Sequence, residues 1–305
     1  MSRIHVVVVG AGIIGASTAI ALLQSGFDVT LVEPGKPGGR QAASYGNGGW
    51  ISPASVIPMS VPGLLRRVPG YLLDPTGPLT IRPRALPELA PWLFSFLRAG
   101  SNFRKVERTA MALNHLLARA PERHRALAAL VGADHLIRTN GLLYAYPDRA
   151  AFAREHIPWA IRAACGVKYE TVNGVDVQAL ASNVPAAYTF GAYVSAGAHC
   201  INPGAYVASL IGYARSRGAH LVRATATGFE VANGRLAAVK LADGAVRCEK
   251  AVVAAGYGSG CLAREAGERV PLASERGYHI SVERSGIDLP IPFMPSDGRM
   301  GLTAI

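Results

Sequence analysis

The chain begins with a nearly continuous apolar run, which gives way within a few residues to the apolar spacing of a helix. Positions 4–9 are apolar except for His5, which predicts a strand buried on both faces. A helical apolar pattern follows a set of glycines, and residues 28–32 then alternate as a second strand that ends at Glu33. The order strand, turn, helix, strand predicts a βαβ unit with parallel strands.

The turn between the first strand and the helix has the spacing of a dinucleotide-binding motif, G-x-G-x-x-G. Gly10 permits the tight turn, Gly12 lets a pyrophosphate approach the backbone, and Gly15 lets the helix lie against the strand. The helix presents free N–H groups and the positive end of its dipole to phosphates. Glu33 can accept hydrogen bonds from ribose hydroxyls, and its charge disfavours the 2′-phosphate of NADP. The predicted site contains Gly10, Ala11, Gly12, Ile13, Ile14, Gly15 and Glu33.

Two other interpretations fit the same apolar run. Residues 6–23 carry no charge, which is near the lower limit for a membrane-spanning helix. The run could also serve as a secretory signal. The glycine spacing and the second strand ending in an acid favour the nucleotide site over both.

Composition narrows the class of protein. A length of 305 residues with 50% hydrophobic residues predicts a globular protein of two domains. The four cysteines are scattered, so neither a disulfide framework nor a metal site is predicted, and a reducing compartment fits. The net charge of +11 is carried mostly by arginine, without a basic run interleaved with aromatics, so nucleic-acid binding is not indicated. It is compatible with anionic ligands or an anionic membrane face.

Two stretches after Glu33 leave alternatives open. Residues 34–49 are small and polar, and form either an ordinary surface loop or a second close approach to a long flat cofactor, bonded by Ser44 and Asn47. Residues 51–100 combine prolines with apolar residues and paired arginines, and 87–97 is predicted as a short helix. A membrane-surface patch competes there with packing inside a substrate domain, which is favoured because prolines forbid a continuous amphipathic helix.

The second half of the chain predicts further strands. An Asn-Gly pair at 140–141 predicts a hairpin between residues 135–138 and 141–147. After a helix that begins at Asn202 and Pro203, residues 220–231, 236–241 and 245–248 predict a three-stranded antiparallel meander. Residues 251–255 predict a fully buried strand that ends in glycines beside the first strand, and 276–282 predict another strand.

Four segments together resemble the FAD-dependent amino-acid oxidoreductases, the family of glycine oxidase, sarcosine oxidase and D-amino-acid dehydrogenase. They are the glycine turn with Glu33, the loop 42–53, the meander leading into 252–256, and the Arg-Gly-Tyr-His sequence at 276–279. The loop and the last motif are most similar to the D-amino-acid dehydrogenase branch. The resemblance implies an α/β fold: a Rossmann-like FAD-binding domain with an antiparallel β-meander (1–54 and 198–270) and an α+β substrate domain (55–197 and 271–305).

The resemblance also implies roles for single residues. The glycine turn would hold the FAD pyrophosphate, and Glu33 the adenosine ribose. Ser44, Asn47 and Gly48 would lie near the flavin, while Thr225 and Gly256 would complete the adenine and phosphate side.

The implied reaction is oxidative deamination of a D-amino acid to a 2-oxo acid and ammonia, by hydride transfer from Cα to flavin N5. Arg276 would clamp the substrate carboxylate, Tyr278 would hydrogen-bond it, and His279 would help to remove an amine proton. A surface ion pair for Arg276 and ordinary strand packing for Tyr278 are the alternatives.

Members of that family continue past the position of Ile305, so a C-terminally truncated chain is expected. Competing functions are an NAD-dependent dehydrogenase and an inactive flavin-binding fragment. The expected partners are an amino-acid substrate and an electron acceptor, either oxygen or a quinone-linked carrier. The expected location is the cytoplasm, with peripheral contact at the inner face of the cell membrane as a further option.

Overall fold

The computed structural model describes residues 3–73, 83–274, 277–297 and 300–305. The strands, in chain order, are β1 (His5–Val9), β2 (Asp28–Val32), β3 (Trp50–Ile51), β4 (Ile137–Arg138), β5 (Leu142–Tyr146), β6 (Glu170–Asn173), β7 (Phe190–Val194), β8 (Ala198–Cys200), β9 (His220–Val222), β10 (Ala226–Ala232), β11 (Arg235–Leu241), β12 (Gly244–Arg247), β13 (Lys250–Val253) and β14 (Phe293–Pro295). The α-helices are α1 (Ile13–Gln24), α2 (Leu64–Leu73), α3 (Leu86–Ala99), α4 (Phe103–Leu117), α5 (Ala120–Leu130), α6 (Arg149–Arg154), α7 (His156–Ala164), α8 (Gly174–Leu180), α9 (Pro203–Ser216) and α10 (Ser259–Glu265).

The chain divides into two compact units. The first contains Met1–Gly49, Arg125–Ile137 and Cys200–Ser281, and the second contains Trp50–His124, Arg138–His199 and Val282–Ile305. Within the described ranges, no helix has both the length and the apolar run that crossing a membrane requires.

The first unit is built on a parallel sheet in the order β13-β1-β2-β9. Its central strand β1 buries four consecutive valines, as a parallel strand covered on both faces must. Helices α1 and α9 pack against each other. Helix α9 begins where the sequence predicts, because the side chain of Asn202 accepts a hydrogen bond from the N–H of Ala205 at 2.9 Å. The predicted βαβ unit is confirmed.

The predicted meander is confirmed as the antiparallel sheet β10-β11-β12. The prediction of one strand over 220–231 is wrong, because β9 joins the parallel sheet and only β10 enters the meander. A fully buried strand over 251–255 is also wrong. Strand β13 does pair in parallel with β1, but it is the last strand on its side of the described sheet, and Val253 is 37% exposed.

The second unit contains a mixed sheet in the order β14-β5-β7-β6. Side chains alternate along β5, so that Tyr144 and Tyr146 join an aromatic cluster with Trp159, while Leu143 and Ala145 join a separate apolar cluster. The predicted hairpin at 140–141 is wrong, because β5 pairs with β7 and β14. The chain turns at the Asn-Gly pair, but the strands before and after it, β4 and β5, belong to different sheets. Strand β14 was not predicted from sequence.

No strand forms over 277–282, although one was predicted there. The alternation of apolar and polar residues in this stretch is not matched by burial, since Ile280 is 91% exposed. The fold class is as predicted: an α/β fold with a parallel core sheet and separate antiparallel sheets.

Candidate dinucleotide-binding site

Two glycines of the first turn are required by packing within the protein. Gly10 has φ +104°, and a Cβ on it would collide with the carbonyl oxygen of Ala254. A Cβ on Gly15 would collide with the carbonyl oxygen of Gly10, so its absence lets α1 lie against the turn. These contacts bring the carboxyl ends of β1 and β13 together and fix the start of α1.

Gly12 lies in a different environment. Its φ of −71° is open to any residue, and the nearest atom to a Cβ placed on it would be Ser44 Oγ at 3.4 Å, an ordinary contact distance. Gly12 is the N-cap residue of α1 and has no side chain that could accept a hydrogen bond from the helix. The N–H of Ile13 instead donates to Ser44 Oγ at 3.1 Å. The space in front of the helix N-terminus therefore suits a phosphate group, which free N–H groups and the helix dipole attract.

Glu33 ties the end of β2 to this turn. Its side chain is buried, with 8% exposed, and Oε2 accepts a hydrogen bond from Ala11 N–H at 2.9 Å. Oε1 accepts from Gly35 N–H at 3.0 Å and from Gln41 Nε2 at 3.4 Å. A carboxylate has about four acceptor positions, so within the described part of the chain one is left that a ribose hydroxyl could use. Gln41 was not identified from sequence, because a polar residue in a loop of small residues carries no distinctive signal.

The loop 34–49 folds back onto the glycine turn through Ser44. Asn47 bonds its own loop, since Oδ1 accepts from Gly49 N–H at 2.8 Å. Gly48 is exposed, and nothing lies within 4 Å of a Cβ placed on it. Ser44 thus lies beside the N-terminal end of α1. The nearness of Ser44, Asn47 and Gly48 to the flavin stays a prediction.

The two remaining cofactor candidates follow strands of the parallel sheet. Thr225 is exposed between β9 and β10, and its carbonyl accepts from Ala242 N–H at 3.2 Å. Gly256 has φ +55° and opens a short 3₁₀ turn after β13, with no atom within 4 Å of a Cβ placed on it. Both lie past the carboxyl ends of parallel strands, where nucleotides bind in α/β sheets.

The three predicted catalytic residues have different outcomes. Arg276 lies outside the described residues. Tyr278 is 87% exposed and belongs to no strand. His279 is exposed, but its Cε1 lies 2.9 Å from the position of a Cβ on Gly46, so the imidazole packs against the 44–49 loop. The structure therefore brings His279 against a loop predicted to bind the cofactor.

Comparison with known proteins identifies a family that this chain resembles. The family described as FAD dependent oxidoreductase (DAO) matches residues 5–304. A D-amino-acid oxidase of Bradyrhizobium diazoefficiens is 44% identical over 296 residues, which cover 97% of this chain and 70% of that protein. A D-amino acid dehydrogenase of Paramagnetospirillum magneticum is 29% identical over 289 residues, which cover 91% of this chain and 66% of that protein.

Solved structures show the same fold at low identity. An L-amino acid deaminase from Proteus vulgaris superposes with a TM-score of 0.60 at 20% identity, over 88% of this chain and 57% of that one. A glycine oxidase from Geobacillus kaustophilus superposes with a TM-score of 0.60 at 16% identity, over 98% and 67%. The chain spans less than two thirds of the dehydrogenase and of the deaminase.

Proposed function

The chain belongs to the FAD-dependent oxidoreductase family, and we propose that it takes part in the FAD-dependent oxidative deamination of a D-amino acid. The observation that carries the proposal is the free space in front of α1, lined by Gly12, Ser44 and the buried Glu33. The resemblance to a D-amino-acid oxidase over almost the whole chain supports the D configuration. The family assignment favours FAD over the NAD alternative.

Each part of the glycine turn has a role toward the cofactor. The N–H groups at the start of α1 bind the pyrophosphate, because they have few partners within the protein. Glu33 binds the adenosine ribose with the acceptor capacity left by its three protein hydrogen bonds. Ser44 bonds the phosphate side, and Asn47 and Gly48 approach the flavin. Thr225 and Gly256 complete the adenine side.

Bound FAD supplies the two-electron acceptor for oxidation of the substrate C–N bond. The protein must bind the substrate carboxylate, hold the amine in its neutral form and exclude water. We assign the carboxylate to Arg276 and Tyr278, and the amine proton to His279. The exposure of Tyr278 and His279 leaves both side chains accessible to a substrate.

The electron acceptor is oxygen or a quinone-linked carrier, and a quinone would require contact with a membrane. Helix α3 supports such a contact, because none of its described residues is buried and Phe94 is 68% exposed. An arginine-rich chain of net charge +11 adds attraction to an anionic lipid surface. We therefore propose a cytoplasmic protein with peripheral contact at the inner face of the membrane.

Absorbance and dye reduction test the proposal. The purified protein should be yellow, release FAD on denaturation, and reduce an artificial acceptor with D-alanine faster than with L-alanine, glycine or sarcosine. A colourless protein that binds NADH would reject it in favour of an NAD-dependent dehydrogenase. Little or no retained FAD, together with no dye reduction by any of these amines, would identify an inactive flavin-binding fragment.

A further inference from the structure

A pocket of about 350 Å³ in the second unit contains two opposite charges that do not pair. Arg162 and Glu155 both line it, together with Tyr144, Tyr146, Met294, Pro295, Ser296, Met300 and Gly301. Among the described residues, no carboxylate lies within 4 Å of the Arg162 guanidinium. The pocket volume falls within the range of small-ligand sites.

Arg162 is held in place but keeps hydrogen-bonding capacity. Nε donates to the carbonyl of Ala54 at 3.0 Å, and the guanidinium carbon lies 4.5 Å from the centre of the Trp159 ring and 5.4 Å from that of Tyr144. Nη1 is buried and has no partner in the described part of the chain. The charge of this partly buried guanidinium is therefore not neutralised by a carboxylate of the described residues, so the site favours an anionic ligand such as a carboxylate.

Glu155 is oriented by its neighbours in the same pocket. Tyr146 OH donates to Glu155 Oε2 at 2.8 Å, and Trp159 Nε1 donates to Tyr146 OH at 2.8 Å. Burial, and then the charge of Glu155, raise the pKa of Tyr146, so the phenol stays protonated and keeps donating. The other oxygen, Oε1, has no hydrogen-bond partner among the described residues and can accept a cationic ligand.

The spacing of the two charges suits a zwitterion. Glu155 precedes the first residue of α7, and Arg162 lies seven residues later, on the same side of the helix and about 10 Å along its axis. Long side chains can reach toward each other from these positions while leaving room for a ligand. Met294 and Met300 add adaptable apolar walls beside the charges.

We infer that the second unit contains an amino-acid-binding pocket, in which Arg162 pairs with the α-carboxylate and Glu155 with the α-ammonium. A carboxylate beside the amine stabilises its protonated form, whereas oxidation requires the neutral amine. The pocket therefore binds the zwitterion without preparing it for oxidation. The two charges of the pocket indicate a zwitterionic ligand of any kind. The choice of an α-amino acid as that zwitterion rests on the proposed function.

Calorimetric titration with three matched ligands tests this inference on the protein as purified. 2-Aminoisobutyrate is a zwitterion without a Cα hydrogen, so it cannot be oxidised; isobutyrate lacks its amine and isopropylamine lacks its carboxylate. A charge-assisted hydrogen bond contributes about 1.5–3 kcal/mol, so 2-aminoisobutyrate should bind at least about tenfold more tightly than either fragment. Equal affinities for 2-aminoisobutyrate and isobutyrate would overturn the inference.

Substitutions assign the two charges. Glu155→Gln keeps an acceptor for Tyr146 and should weaken 2-aminoisobutyrate about tenfold while leaving isobutyrate unchanged. Arg162→Met should weaken both carboxylates and spare isopropylamine, and Arg162→Lys gives a second variant if Arg162→Met does not fold. Arg154→Gln, an exposed arginine on α6, is the matched control and should change nothing. Unchanged 2-aminoisobutyrate binding in Glu155→Gln would refute the pocket.

Flavin content and dye reduction, measured on the same preparations, separate this inference from the proposed function. A yellow, active protein without the charge-dependent binding pattern refutes the pocket alone. A colourless protein with that pattern refutes the proposed function alone.

Discussion

The carboxylate of Glu33 accepts a hydrogen bond from the backbone N–H of Ala11 at 2.9 Å, across twenty-two residues of sequence. This bond joins the carboxyl end of β2 to the turn that follows β1. A single buried acid therefore closes the glycine turn and also offers an acceptor to a ribose. The two roles can be measured separately, because one contributes to stability without cofactor and the other only with it.

Glu33→Ala should lower both stability and FAD affinity. Ala11, Gly35 and Gln41 would lose their acceptor, and a buried unpaired donor costs about 1–3 kcal/mol. Urea unfolding of FAD-free protein measures the first effect, and quenching of flavin fluorescence measures the second. Glu249→Ala removes an exposed carboxylate that accepts from His5 N–H at 2.8 Å, and should leave FAD affinity unchanged. Equal FAD affinity in Glu33→Ala would exclude the ribose role.

Gly12→Ala should separate folding from cofactor binding. An added Cβ meets only Ser44 Oγ at 3.4 Å, so the free energy of unfolding should change by less than about 0.5 kcal/mol. The same methyl group occupies the space proposed for the pyrophosphate, and FAD affinity should fall at least about tenfold, which corresponds to 1.4 kcal/mol. Gly15→Ala is the contrast, because its Cβ collides with the Gly10 carbonyl and should destabilise the protein without cofactor. Normal FAD binding by Gly12→Ala would place the pyrophosphate elsewhere.

Ser44→Ala should weaken the start of α1. Loss of the acceptor for Ile13 N–H resembles the loss of a helix cap, which costs about 0.5–2 kcal/mol. Thermal unfolding with and without added FAD measures the effect, and FAD should restore part of the loss because phosphate oxygens accept from the same helix end. Ser25→Ala is the control, since that exposed hydroxyl donates to Ala21 O at the other end of α1. An unchanged melting temperature in Ser44→Ala would show that the contact has no energetic weight.

The sequence predicts those parts of the site whose residues lie close together along the chain. Gly10, Gly15 and Glu33 act within one βαβ unit, so their spacing already determines their packing. Pairing between strands that are distant along the chain is harder to predict from sequence. The strand pattern over 220–231 is continuous, yet β9 and β10 enter different sheets. Tertiary contacts, which the local pattern does not contain, decide where each strand pairs. The stretch 277–282 alternates like a strand but has no sheet to bury its apolar side, and therefore does not form one.

His199 should make the stability of the protein depend on pH. Its side chain is 2% exposed, Nδ1 has no partner among the described residues, and burial followed by the charge of Arg138 lowers the pKa of His199 to about 4. Between this value and the ordinary pKa of about 6.5 the unfolded chain binds a proton that the folded protein does not. The full contribution to stability is therefore present above about pH 6.5, and it decreases as the pH falls through 4, by about 3 kcal/mol in total.

Urea unfolding at intervals from pH 4 to 7.5 measures this slope for the wild type and for His199→Gln. Glutamine cannot take up a proton, so the slope in this window should become smaller, although the amide can lower stability uniformly by leaving a buried polar group unpaired. His115→Gln, at an exposed position on α4, should keep the wild-type slope. If His199→Gln and the wild type lose stability in parallel as the pH falls, the acid sensitivity originates in other groups, and His199 is protonated as easily in the folded protein as in the unfolded chain.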